Sequence, residues 1–175
     1  MDMHSKLAKG KVILFLLFLF LLANFVVIQL IYPKFQTLDT LSSYTPDEAF
    51  RLISSYGEQG RQYYAVIEAT LDLVYPLVTA LLFSLIIFYT FKRAFPNHSW
   101  ALYFSLAPYT VLLADYLENT CVVFMLLTYP RESALAARLS NFFTVAKFSL
   151  APLQLIFVVG LIGWLFQAIR SRWSK

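Results

Sequence analysis

The sequence predicts an all-α polytopic membrane protein, a four-transmembrane-helix bundle with a short extracytoplasmic amphipathic helix. Of its 175 residues, 59% are hydrophobic and only 14% are charged, whereas about 25% are charged in a soluble domain. The apolar residues gather into four runs, each long enough to cross a hydrocarbon core about 30 Å thick. Residues 1–175 are therefore interpreted as a single membrane domain.

The four apolar runs define the predicted spans. The first covers residues 12–32, the second 64–91, the third 100–128 and the fourth 139–169. The first run follows several lysines, as a signal peptide would, but it is too long and no small-residue cleavage site follows it. It is therefore expected to remain in the protein as its first span.

Residues 33–62 form the only sizeable segment between spans, and they contain a helix start signal. Thr45-Pro46-Asp47-Glu48 combines an N-cap, a proline at the first turn and a capping-box glutamate. A helix over residues 46–56 is expected, ended by Gly57. The apolar residues on one edge of this helix are Phe50, Ile53 and Tyr56. The helix either caps the mouth of the bundle or lies on the membrane surface.

Basic residues predict the orientation, because they concentrate on the cytoplasmic side of membrane proteins. With the N-terminus inside, that side holds eight basic residues and one acid, Asp2, and the other side holds five of each. Both termini are therefore predicted to be cytoplasmic. The eight basic residues are Lys6, Lys9, Lys11, Lys92, Arg93, Arg170, Arg172 and Lys175. The aromatic residues expected to form interfacial belts are Tyr32, Tyr63, Tyr64, Tyr129, Trp100 and Trp173.

Ionisable residues inside the spans are the strongest indication of a functional site, because a charge in hydrocarbon costs several kcal/mol. Helical spacing places those of each span on one face, and distances from the cytoplasmic ends place them in one layer in the outer half of the bundle. The five ionisable residues are Glu68, Asp72, Asp115, Glu118 and Lys147. The predicted ligand-binding set is Glu68, Asp72, Tyr75, Asp115, Glu118, Asn119, Thr144 and Lys147.

Four carboxylates and one ammonium leave a net charge of −3 in this layer (−4 + 1). Crowded carboxylates repel one another in a low dielectric, so at least one is expected to hold a proton. Lys147 is expected to pair with Asp115 or Glu118. A bound cation could supply the missing positive charge, although the chain contains no motif for a resident metal or cofactor and none is predicted.

Two interpretations of the polar layer stay open. It is a structural lock between helices, or it is a site that binds or acts on a small amphipathic, lipid-like molecule. If the site is catalytic, Asp115 or Glu118 would act as a general acid and Lys147 would orient the reacting group. Proton- or cation-coupled transport by a homo-oligomer and an accessory, scaffolding role are the alternatives, and the sequence does not decide whether the chain is an enzyme.

The layout resembles that of the emopamil-binding (EXPERA) group of four-span proteins. The features that match are the helix at Thr45–Tyr56, the pattern Glu68-x-x-x-Asp72-x-x-x-Pro76, and Asp115 with Glu118 in the next span. The histidine and tryptophan expected in that group's pocket are missing, so the likeness implies architecture rather than sterol isomerisation.

The chain also resembles small four-helix bacterial inner-membrane proteins with similar Asp-x-x-Tyr-Pro and Asp-Tyr-x-Glu-Asn patterns. This second resemblance implies the inner, or plasma, membrane as location. Membrane lipids and an amphipathic ligand are the expected partners. Nucleic acid is not expected, because the basic residues lie at span ends rather than in a patch.

Overall fold

The computed structural model describes residues 7–95 and 99–173, which form helices and turns but no strand. In the last helix the description excludes the side chains of residues 153, 154, 156, 161, 163, 165 and 167–173. Lys6 and Lys175 lie outside the described residues, as do the side chains of Arg170, Arg172 and Trp173. Four of the helices are long and apolar enough to cross a membrane.

The first of these helices, α1, covers Gly10–Ile31 and has few contacts with the rest of the chain. Only 6% of its most apolar window is buried, and its contacts are mainly with the long helix that follows the connecting segment (residues 32–56). It contains a π-helical turn at Ala23–Val27. There the side-chain amide of Asn24 donates to the backbone carbonyl of Phe20 at 2.8 Å. Insertions of this kind widen the helix locally and often mark functional positions.

The connecting segment contains a 3-10 turn at Leu38–Thr40 and the helix α2 at Pro46–Ser55. The predicted capping box is present: the Thr45 amide donates to Glu48 Oε2 at 2.8 Å, and the Glu48 amide donates to Thr45 Oγ1 at 3.3 Å. Gly57 follows α2 with a φ of 65°, a conformation that glycine adopts without strain.

Three long helices form the bundle: α3 at Gly57–Ala94, α4 at Ala101–Thr128 and α5 at Ala134–Trp173. The helix α3 starts at Gly57, so it continues about two turns beyond the apolar run that begins at Tyr64. A tight turn interrupts α4 between Ala101–Ser105 and Pro108–Thr128. Pro108 has no amide to bond the carbonyl one turn back, so the helix is interrupted there.

The main hydrophobic core lies at the end of the bundle that α2 covers. Ala49, Phe50 and Ile53 of α2 are buried there against α3, α4 and α5. The helix therefore caps the bundle, as one of the two sequence-based alternatives proposed. The buried residues of this core are Leu38, Tyr44, Ala49, Phe50, Ile53, Tyr64, Ala65, Val122, Met125, Leu126, Ala136 and Ala137.

Candidate functional site

The lysine of the polar layer lies between two carboxylates of α4. Lys147 Nζ lies 3.0 Å from Asp115 Oδ1 and 2.6 Å from Glu118 Oε2. Lys147 thus pairs with both of its expected partners rather than one. Glu118 is completely buried, and its other oxygen accepts a hydrogen bond of 2.8 Å from Thr144. These contacts hold α4 and α5 together through one connected group, which we call the lysine cluster (Asp115, Glu118, Thr144 and Lys147).

A second group contains three carboxylates. Oxygens of Asp39, Glu68 and Asp72 all lie within 4.8 Å of one another. Both oxygens of Glu68, which is only 2% exposed, and Oδ2 of Asp72 are buried without a hydrogen-bond partner. Within the described ranges, no basic side chain lies within ion-pair distance of these three residues. We call this group the acidic cluster (Asp39, Glu68 and Asp72).

Asn119 joins the two clusters. Its amide nitrogen lies 3.2 Å from the Asp72 carbonyl oxygen and 3.4 Å from Asp115 Oδ2. Asn119 lies one helical turn after Asp115, so these two side chains share the face of α4 that is turned towards α3. A polar side chain in the interior therefore ties α3 to α4, which fits the structural lock as well as a binding site.

The connecting segment supplies two side chains of the candidate site that the sequence did not indicate. Asp39 accepts hydrogen bonds from Tyr32 and from Tyr64, the latter at 2.8 Å. Tyr44 donates to Ser140 Oγ at 2.7 Å and lies 3.5 Å from the Thr144 hydroxyl. Asp39 thus belongs to the acidic cluster, and Tyr44 covers the lysine cluster. No periodicity distinguishes these positions from ordinary polar loop residues.

Burial changes the acidity of Tyr44, the tyrosine that lies over the lysine cluster. It raises the pKa of Tyr44 to about 12, and the negative charge of Glu118 acts in the same direction. The Tyr44 phenol therefore remains a protonated donor at neutral pH. Tyr64 is completely buried and therefore does not belong to the predicted interfacial belt, whereas Tyr32 is partly exposed.

A cavity of about 490 Å³ opens next to both clusters. Its charged lining residues are Asp39, Asp72, Asp115 and Lys147. Its apolar lining residues include Phe83, Val111, Leu112, Phe148, Ala151 and Leu155. The cavity therefore has one charged region and one apolar region, and its volume lies in the range of sites for small organic molecules.

The structure divides the predicted site residues into two sets. Four line the cavity: Asp72, Tyr75, Asp115 and Lys147. Tyr75 also donates to Asn24 Oδ1 on α1 at 3.1 Å. Glu68, Glu118, Asn119 and Thr144 are buried behind that lining. Of the three catalytic candidates, Asp115 and Lys147 therefore face the cavity, whereas Glu118 supports Lys147 from behind.

The cavity offers more acceptors than free donors. The Lys147 ammonium already contacts two carboxylates, while Asp72 Oδ2 has no hydrogen-bond partner. The arrangement can therefore accept hydrogen bonds from a polar group or bind a positive charge, with apolar surface beside it. Comparison of the chain with protein-family models, with curated proteins and with solved structures gives no match.

Proposed function

We propose that this chain is an integral membrane protein that binds a small amphipathic, lipid-like molecule between its helices. The observation that carries the proposal is the cavity of about 490 Å³, which combines carboxylates and Lys147 at one region with phenylalanine and aliphatic side chains at the other. A molecule with a polar head and an apolar body fits such a division. A purely structural lock would not need an open volume beside it.

Exposed apolar side chains support insertion into the membrane. Leu14, Phe18 and Phe25 of α1 are 65%, 60% and 75% exposed, and contiguous surface of this kind is not stable in water. In the proposed orientation both termini are cytoplasmic, and the connecting segment with α2 lies on the opposite side. The charged region of the cavity then lies on the α2 side, and its apolar region, with Phe83 on α3 and Val111 on α4, extends past the middle of the bundle. A molecule could enter there sideways from the lipid.

The charge balance favours a head group that donates hydrogen bonds or carries a positive charge. Three carboxylates and one ammonium line the cavity, and that ammonium is held by Asp115 and Glu118. Asp72 Oδ2 is an acceptor without a partner. An anionic head would have to compete with two carboxylates for Lys147, at a high cost in a low dielectric.

The test is mass spectrometry of molecules that copurify with the protein in mild detergent. Ala151 lines the apolar region of the cavity, and its side chain is not packed in the interior of the bundle. Ala151→Trp should therefore fill the cavity without displacing buried side chains. Ala69→Trp is the matched control, because Ala69 is exposed on α3 and does not line the cavity. We expect an amphipathic molecule bound to the unmodified protein and to the Ala69→Trp variant.

The expected occupancy of Ala151→Trp is lower by roughly tenfold or more, since filling the volume removes the apolar contacts of the ligand. Equal occupancy in the two tryptophan variants would mean that copurified lipid sits on the outer surface. That result would overturn the cavity proposal and favour the structural lock.

A further inference from the structure

We propose that Asp39, Glu68 and Asp72 bind a divalent cation, with Ca²⁺ as the best match. This site goes beyond the amphipathic-ligand proposal: it includes Glu68, which does not line the cavity, and it shares Asp39 and Asp72 with the cavity lining. Two independent observations support it. Three carboxylates lie close together, and the Glu68 side chain among them is buried without a hydrogen-bond partner.

The placement of the oxygens fits one common ion. One oxygen from each carboxylate lies within 4.8 Å of the others. Calcium ligands lie about 2.3–2.6 Å from the ion, so two ligands on opposite sides are about 4.8 Å apart. Mg²⁺ requires shorter distances of about 2.0–2.1 Å and a regular octahedron. Mg²⁺ also usually keeps several waters and uses only one or two carboxylates, so a set of three protein carboxylates suits Ca²⁺ better.

The burial of the Glu68 carboxylate indicates that it needs a positively charged partner. Its side chain is only 2% exposed, and neither carboxylate oxygen has a hydrogen-bond partner. A buried carboxylate without a donor is costly unless it is neutralised. The basic side chain on the same face, Lys147, is bound to Asp115 and Glu118, so a cation is the group that these oxygens still lack.

Hydrogen bonds hold the Asp39 carboxylate in place, as they do for carboxylates in known metal sites. Tyr64 donates to Asp39 Oδ1 at 2.8 Å, and Tyr32 also donates to this carboxylate. Hydrogen bonds from a second layer commonly fix the orientation of metal-binding carboxylates. Asp39 and Asp72 also line the cavity, which gives an ion a route to the buried Glu68.

The test uses the full-length protein in detergent, stripped of metal with a chelator, and Ca²⁺ alone as the probe. We expect direct binding of one Ca²⁺ by titration calorimetry and a rise in Tm of about 5 °C when Ca²⁺ greatly exceeds its Kd. Glu68→Gln keeps the shape of the side chain and should weaken Ca²⁺ binding by roughly a hundredfold. Asp39→Asn, in the connecting segment, should weaken it similarly.

Glu132→Gln is the control, because Glu132 is exposed and distant in sequence from the cluster; its Ca²⁺ binding should equal that of the unmodified protein. The proposal is overturned if the unmodified protein does not bind Ca²⁺, or if Glu68→Gln and Asp39→Asn bind it as well as the control. A Glu68→Gln variant that is more stable than the metal-free protein, with no Ca²⁺ binding by either, would show that protons neutralise the cluster instead.

Discussion

Tyr64 on α3 donates a hydrogen bond of 2.8 Å to Asp39, so the first turn of the connecting segment is fixed to the helix that carries Glu68 and Asp72. Tyr64 is completely buried and also packs in the main core. The Tyr64 hydroxyl therefore supplies a hydrogen bond to the Asp39 carboxylate, and the same bond holds the non-helical segment over the end of the bundle.

Tyr64→Phe should lower the free energy of unfolding by about 1–2 kcal/mol, because a hydrogen bond to a charged acceptor is lost while the ring stays packed. Unfolding in detergent by a denaturing surfactant measures this loss. Tyr103→Phe is the control, since Tyr103 is 71% exposed on α4; it should leave the stability unchanged. Equal effects of the two substitutions would show that the bond to Asp39 contributes nothing.

Lys147→Met should destabilise the protein by about 3 kcal/mol, because it leaves the buried Glu118 carboxylate without its cation. The same unfolding experiment in metal-free buffer at neutral pH measures it. Adding Glu118→Gln to Lys147→Met removes the unpaired charge, so the double variant should regain more than half of the loss. If Lys147→Met alone is harmless, the ion pairs at 2.6 and 3.0 Å do not stabilise the fold.

Gly57 separates α2 from α3 in a conformation that disfavours other residues. Its φ is 65°, although no described atom would meet an added Cβ within 4 Å. Gly57→Ala should therefore cost about 1–2 kcal/mol through backbone strain alone. Gly57→Asn tests the cause, because asparagine tolerates this region better than alanine does. A loss that is equal or larger for asparagine would indicate crowding rather than strain.

The lengths of the apolar runs are enough to predict four helices, but they do not fix where each helix begins. Residues 57–63 are mostly polar and lie outside the predicted second span, yet α3 starts at Gly57. Glu58, Gln59 and Arg61 favour helix as much as most apolar residues do. Hydropathy locates the part of a helix that suits a membrane, not the whole helix.

The lysine cluster could be predicted because helical periodicity alone places Asp115 and Glu118 on one face, and charge balance supplies Lys147 as their partner. Asp39 and Tyr44 could not be predicted in the same way. Their positions depend on the path of a non-helical segment over the bundle, which packing of Leu38 and Phe50 in the core determines. Side chains in such segments follow no periodicity.

Tyr44 should make the stability of the protein depend on alkaline pH. Its folded-state pKa is about 12, raised from 10.0 chiefly by burial. Above pH 10 the unfolded chain loses this proton while the folded chain keeps it, so stability present below pH 10 is lost as the pH rises towards 12. The loss from this group is roughly 2 kcal/mol over that interval.

Tyr44→Phe removes the phenol and should flatten the pH dependence of unfolding in this interval, although it also loses the 2.7 Å bond to Ser140. The free energy of unfolding is measured at several pH values for the variant and the unmodified protein. The slopes of these values against pH are compared, because the absolute stabilities also differ by the lost bond. Tyr103→Phe serves again as the control and should keep the steeper slope. Parallel curves for the Tyr44→Phe variant and the unmodified protein would contradict a buried, protonated Tyr44.

The proposed orientation predicts which positions a membrane-impermeant maleimide can reach in intact cells. Cys121 is replaced by alanine first, so that a single cysteine can be introduced elsewhere. Ser43→Cys lies on the exposed part of the connecting segment and should be labelled. A cysteine added after Lys175 should stay unlabelled until the cells are opened, because the eight basic residues assigned to the cytoplasmic side resist translocation. Labelling of the C-terminal cysteine in intact cells, with Ser43→Cys protected, would reverse the orientation and place the charged region of the cavity on the cytoplasmic side.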